Sequence, residues 1–165
     1  MRLAVVLVAS VAALAVATTA VAAVITRHAK TASYSLTLVV GPSEAMYTQA
    51  EVKKMHPKSG EVMVGGAMMA GSMSAMKGQT ERHLELQVRT RASGAVVTNV
   101  IPQISVTDAT AKSMGEKLSV SVMEGVGQGM ADVHYGNNVS LRAGDVYKVS
   151  IVVRGEKASF TFQVA

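Results

Sequence analysis

The residues most able to do chemistry in this chain are two histidines with polar neighbours and a run of methionines. His83 stands two places before Glu85, and His134 lies in the polar, glycine-containing stretch 130–138, which predicts a loop directly before a strand. Imidazole and carboxylate groups bind copper, iron and manganese, and thioethers add affinity for Cu(I). These residue types therefore point to a metal-binding site.

The methionines are concentrated in one segment, residues 46–76, where glycine and serine interleave them. Such a sequence has no clean helical or strand period. One interpretation is a flexible cover that folds over the histidines, with His56 adding an imidazole. Its thioethers would make the site suited to a soft ion such as Cu(I). The other is a mobile surface segment, or core filler, without a role in the site. The methionines of this segment are Met46, Met55, Met63, Met68, Met69, Met73 and Met76.

Composition excludes several classes of site. The chain has no cysteine, so disulfides, zinc-thiolate sites and blue-copper centres are ruled out. The net charge is +5, but the basic residues are dispersed and aromatic residues are few, which argues against nucleic-acid binding. A metal would have to be held by His, Met, Asp or Glu.

An apolar run at residues 3–25 follows Arg2 and predicts an export signal or an uncleaved membrane anchor. We therefore expect a signal or anchor at 1–26, a linker at 27–33 and one domain at 34–165. The domain is expected outside the cytoplasm, in the periplasm or on the outer face of the membrane.

The domain shows strand-like alternation and no convincing helix. Leu84, Leu86 and Val88 alternate with His83 and Glu85, so the last two share one face of a strand. Seven or eight short strands predict an all-β, immunoglobulin-like antiparallel sandwich, with a closed barrel as the alternative. The predicted strands are 35–40, 61–64, 84–89, 103–107, 118–123, 139–141, 146–153 and 158–164.

Three motifs carry a resemblance to a known family. They are His83-Leu84-Glu85, Ile101-Pro102 before a strand, and His134-Tyr135-Gly136-Asn137-Asn138-Val139. The chain resembles the bacterial periplasmic high-affinity iron-uptake proteins, which include a pathogen-specific membrane antigen. The resemblance implies a dimeric, immunoglobulin-like protein that binds copper and iron and assists an iron permease.

The resemblance also implies a set of ligands. His83 and His134 would bind the metal with Glu85 beside them, and Met130 would supply a thioether. The family has its methionine where Gly127 stands here, so Met123 is the alternative to Met130. Glu44 and Met46 resemble an early Pro-x-Glu-Met segment of the family and are accessory candidates, as is His56. A further family histidine has no counterpart in this chain.

The leading hypothesis is a copper- or iron-binding protein that assists metal uptake or copper handling at the membrane. It is a binding protein and not an enzyme. The alternative is a cell-envelope, immunoglobulin-like interaction module whose methionine-rich segment forms a partner surface. A metal-dependent redox enzyme is disfavoured because the sequence has no second metal cluster or cofactor motif.

Overall fold

The chain forms an all-β sandwich of two sheets. The computed structural model describes residues 23–66 and 78–165. The predicted signal or anchor at 1–26 lies almost wholly outside these ranges, as do Met68, Met69, Met73 and Met76. Within the described ranges, no helix has the length and apolar character needed to cross a membrane.

The elements are mostly short strands, with one short helix and one 3₁₀ turn, Gly129–Asp132, among the described residues. In chain order they are β1 Ile25–Lys30, β2 Tyr34–Pro42, β3 Met46–Thr48, α1 Gln49–Met55, β4 Glu61–Gly66, β5 Thr80–Thr90, β6 Gln103–Asp108, β7 Glu116–Lys117, β8 Ser121–Gly125, β9 His134–Leu141, β10 Val146–Val153 and β11 Glu156–Gln163.

The two sheets are unequal in size. A seven-stranded sheet has the order β1-β2-β5-β9-β8-β4-β3, and a four-stranded sheet has the order β11-β10-β6-β7. The strands pair antiparallel except for β3 and β4, which run parallel on either side of α1. A parallel pair requires a crossover connection, and this helix provides it.

The hydrophobic core fills the space between the sheets. On β5, Leu84, Leu86 and Val88 are all 0% exposed, and β10 contributes Val149 and Ile151. Each such side chain stabilises the fold by about 1.5–3 kcal/mol relative to an exposed position. The residues between them on β5 therefore face the outer side of the larger sheet.

Most predicted strands are present, with shifted ends. The prediction for 146–153 matches β10 exactly, and those for 35–40, 84–89 and 103–107 fall within β2, β5 and β6. The expectation of no helix is wrong at α1. Thr48 and Glu51 form a reciprocal capping box there, a sequence signal for a helix start.

Two further segments, one predicted as a linker and one as a loop, contain strands. The predicted linker 27–33 is corrected in part, because β1 pairs along its whole length with β2. Its edge position leaves most of its residues exposed, so it shows no alternation. The prediction that His134 lies in a loop is also wrong, since β9 begins at that residue.

Candidate metal centre

The site is built on the outer face of the larger sheet. His83 and Glu85 lie on β5 with side chains opposite to the core leucines, as the alternation predicted. β9 pairs with β5 so that His83 faces Asn138 and Glu85 faces Gly136. His134, two residues before Gly136, projects from the same face.

The two imidazoles meet on this face. The ring centroids of His83 and His134 are 6.1 Å apart, with the ring planes at 86°. His83 is 4% exposed and His134 is 1% exposed. The predicted convergence of the two histidines is therefore present in the structure.

Glu61 completes the cluster, and the sequence did not point to it. Its Oε2 lies 3.1 Å from His134 Nε2, and its side chain is 12% exposed. One ligand atom each from Glu61, His83 and His134 all lie within 4.8 Å of one another. The sequence signal was weak, because Glu61 belongs to a short strand in the methionine-rich region with no histidine beside it.

The three ligands converge although their strands lie apart in the sheet. Glu61 on β4 and His83 on β5 are separated by β8 and β9. Three strand spacings span about 14 Å in a flat sheet. Their ligand atoms nevertheless lie within 4.8 Å of each other, so the two long side chains extend towards each other across β8 and β9.

Two glycines, Gly125 on β8 and Gly136 on β9, leave space on the face of the sheet that carries the site. Gly125 pairs with Glu61, and a Cβ there would lie 3.0 Å from Asp132 Oδ2. Gly136 lies between Glu85 and Ser121, and a Cβ there would lie 1.8 Å from the carbonyl oxygen of Leu84. The glycine of the His-Tyr-Gly motif thus allows β5 and β9 to approach closely.

Hydrogen bonds orient both imidazoles in the same way. His134 Nδ1 lies 2.7 Å from the carbonyl oxygen of Asp132, which can only accept, so Nδ1 carries the hydrogen. His83 Nδ1 lies 3.0 Å from Asn138 Oδ1 and donates to it. In the neutral rings, each Nε2 therefore presents a lone pair to the cluster, as metal-binding histidines do.

The atoms facing one another lack ordinary partners. Among the described side chains, the buried polar atoms without a well-aligned hydrogen bond include Glu61 Oε2, His83 Nε2 and His134 Nε2. Leaving such an atom unsatisfied costs about 1–3 kcal/mol. A cation among them would satisfy all three atoms at once.

The electrostatics of His134 favour a positive charge at this point. Burial lowers its pKa, but the hydrogen bond and charge of Glu61, the Asp132 carbonyl and the Glu85 charge together raise it to about 9. Glu85 Oε1 lies 4.0 Å and Asp132 Oδ2 lies 3.9 Å from Nδ1. Without a metal, these groups therefore favour the protonated form of His134.

The predicted thioether ligand is better placed at Met123 than at Met130. Met130 lies on the 3₁₀ turn and is 64% exposed, whereas both imidazoles are buried. Met123 is 0% exposed and is the register partner of His134. Met63 is in turn the partner of Met123. Directly opposed residues have Cβ atoms about 4.5–5.5 Å apart, so Met123 lies beside His134 and Met63 lies beside Met123.

The accessory candidates occupy different positions. Met46 is the register partner of Glu61 on the adjacent strand β3. Glu44 reaches the site through its backbone, whose N–H and C=O bond the side chain of Asn138. His56 ends α1 in a left-handed conformation, is exposed, and is not part of the buried cluster.

The comparisons with known proteins give one match. A family model described as Fe²⁺ transport protein matches residues 43–163. The match includes every member of the buried cluster and most of the sandwich. No curated protein and no solved structure matches the chain.

Proposed function

Since the chain belongs to the Fe²⁺ transport protein family, we propose that Glu61, His83 and His134 bind the transported Fe²⁺ directly. The observation that carries this proposal is the convergence of two Nε2 atoms and one carboxylate oxygen within 4.8 Å. All three atoms are buried and lack a well-aligned hydrogen bond, although Glu61 Oε2 and His134 Nε2 lie 3.1 Å apart as an ion pair. Fe²⁺ is the cargo here and not a resident cofactor.

The donor set suits this ion. Imidazole binds iron readily, and carboxylates favour harder divalent cations. Glu85 and Asp132 add negative charge within 4.0 Å of His134 Nδ1. Two of the four predicted ligands, His83 and His134, belong to the proposed donor set, and Glu85 supports it electrostatically.

Copper is a second candidate cargo. Met123 is buried beside His134 and Met63 is its neighbour. Thioether and imidazole ligands together favour Cu(I). We infer that a soft ion would bind nearer the Met123 side of the cluster, and Fe²⁺ nearer the carboxylates.

We further propose that the protein is a binding protein, not an enzyme, and that its domain is an immunoglobulin-like sandwich working outside the cytoplasm. In this role it would pass its ion to an iron permease in the membrane, as a monomer or a homodimer. An envelope interaction module without a metal is the competing hypothesis, and metal binding by the purified protein separates the two.

Anaerobic calorimetric titration with Fe²⁺ tests the site. Glu61→Gln, His83→Ala and His134→Ala should each weaken binding by at least about tenfold, the lower end of what loss of a supporting group alone costs. Glu116→Gln on β7 and His28→Ala on β1, both exposed residues, are the matched controls and should leave the affinity unchanged. A wild-type Fe²⁺ affinity in all five variants would exclude this site.

A further inference from the structure

One side chain links the metal cluster to the chain segment that passes beside it. Residues 43–45, here called the strap, connect β2 to β3. The Glu44 N–H donates to Asn138 Oδ1 at 3.3 Å, and Asn138 Nδ2 donates to the Glu44 carbonyl at 2.9 Å. Asn138 is 9% exposed, and both bonds to the Glu44 backbone are partly buried.

The same Asn138 oxygen accepts the hydrogen bond from His83 Nδ1 at 3.0 Å. The Glu44 backbone sets the orientation of the amide, because its N–H can only donate and its carbonyl can only accept. A reversed amide would place its NH₂ against the Glu44 N–H. Oδ1 must therefore face His83, and the His83 hydrogen must reside on Nδ1.

The strap also contacts the other side of the cluster. Glu61 N–H donates to the Ala45 carbonyl at 2.8 Å. Gly60 permits this approach, since a Cβ there would lie 2.5 Å from the same oxygen and its φ is +104°. The strap thus holds Glu61 through the backbone and His83 through Asn138.

We propose that Asn138 is a positioning residue, which uses the strap backbone to hold His83 with its Nε2 lone pair directed at the metal. The expected effect on Fe²⁺ affinity rests on the proposed function. The orientation of His83 by Asn138 rests on the hydrogen bonds alone. Partners of this kind typically change metal affinity by about 10–100-fold. The motif residue Asn138 therefore acts on the ion only through His83.

Two variants separate this role from simple structural support. Asn138→Asp retains an acceptor for His83 Nδ1 and for Glu44 N–H but loses the donor to the Glu44 carbonyl. Asn138→Ala loses all three bonds. Asn99→Asp and Asn99→Ala, in an exposed loop, are the matched controls.

The first readout is the His83 tautomer, measured by ¹⁵N NMR in the metal-free protein at a pH at which the ring is neutral. We expect the hydrogen on Nδ1 in the wild type and in Asn138→Asp, and a mixture of tautomers in Asn138→Ala. If Asn138→Ala does not fold, Asn138→Ser carries the same expectation. An unchanged tautomer in the folded Ala or Ser variant would overturn the proposal.

The second readout is the Fe²⁺ affinity. Asn138→Ala should bind at least about tenfold more weakly than the wild type, and Asn138→Asp should recover most of that loss. Equal weakening in both variants would mean that Asn138 serves only the strap and would overturn the positioning role. Failure of the wild type to bind Fe²⁺ would instead refute the proposed function, while the tautomer measurement would still test Asn138.

Discussion

Glu61 Oε2 and His134 Nε2 lie 3.1 Å apart although their strands, β4 and β9, are separated by β8. Gly125 on β8, the register partner of Glu61, has no side chain that could lie between the two. Burial makes the pair costly unless the charges are matched. The relationship between these two residues therefore accounts for the raised pKa of His134 and would favour a cation at the proposed site.

Metal binding should compete with protons. The pKa of His134 is raised to about 9 by Glu61, the Asp132 carbonyl and Glu85 acting against burial. Below that pH the Nε2 proton must leave before an ion can bind, so the apparent Fe²⁺ affinity should fall by up to about tenfold for each unit of pH decrease. Titrations in buffers of different ionisation enthalpy should show close to one proton released at neutral pH. Binding without proton release would contradict the prediction.

Gly136→Ala should disrupt the sheet beneath the site. The new Cβ would lie 1.8 Å from the Leu84 carbonyl oxygen, and relieving that clash would move apart two backbones that are paired between β5 and β9. We expect a loss of about 3 kcal/mol or more, the upper range for overpacking. Denaturant unfolding of the metal-free protein measures it.

Gly41→Ala is the matched control for that substitution. Gly41 lies on β2 of the same sheet, and the nearest atom to its added Cβ is Val24 Cγ2 at 4.0 Å. Its stability should change by less than about 1 kcal/mol. A similar loss in both variants would mean that the close approach at Gly136 is not the cause.

Met123→Leu should weaken Cu(I) binding and leave the fold nearly intact. Leucine conserves the volume of the buried side chain, which usually costs less than about 1.5 kcal/mol, but it removes the thioether. Met130→Leu, at the 64% exposed position, should leave Cu(I) affinity unchanged. Competition with a chromogenic Cu(I) chelator measures both variants, and a larger effect from Met130 would reverse the assignment.

Glu156 should contribute stability that depends on pH. Hydrogen bonds from the Ser33 and Thr31 side chains and the Ser33 backbone N–H lower its pKa from 4.5 to about 2. Because the folded-state pKa is the lower one, the contribution is present above pH 4.5 and is lost as the pH falls through about 2.

The variant Glu156→Gln tests that contribution. It should lower the melting temperature at neutral pH, and the difference from the wild type should shrink between about pH 4.5 and pH 2. Glu116→Gln, on the exposed strand β7, is the control and should show no such trend. A pH-independent difference for Glu156→Gln would exclude the ionised carboxylate as its cause.

By itself, the sequence determined the strands whose two faces differ in polarity. The alternation of Leu84, Leu86 and Val88 with His83 and Glu85 identified β5 and the face that carries the site. β9 was harder to place because all eight of its residues are buried. With both faces covered, polar and apolar residues no longer alternate between solvent and core, so the local sequence predicts a loop at His134 where the strand in fact begins.

Only the tertiary structure decided which distant residues complete the site. Glu61 reaches His134 because of the strand order and register, and neither follows from local periodicity. The choice of Met123 over Met130 likewise depends on register across β8 and β9. Hydrophobic patterning specifies the face of a strand, whereas the pairing of strands far apart in sequence specifies which side chains meet on it.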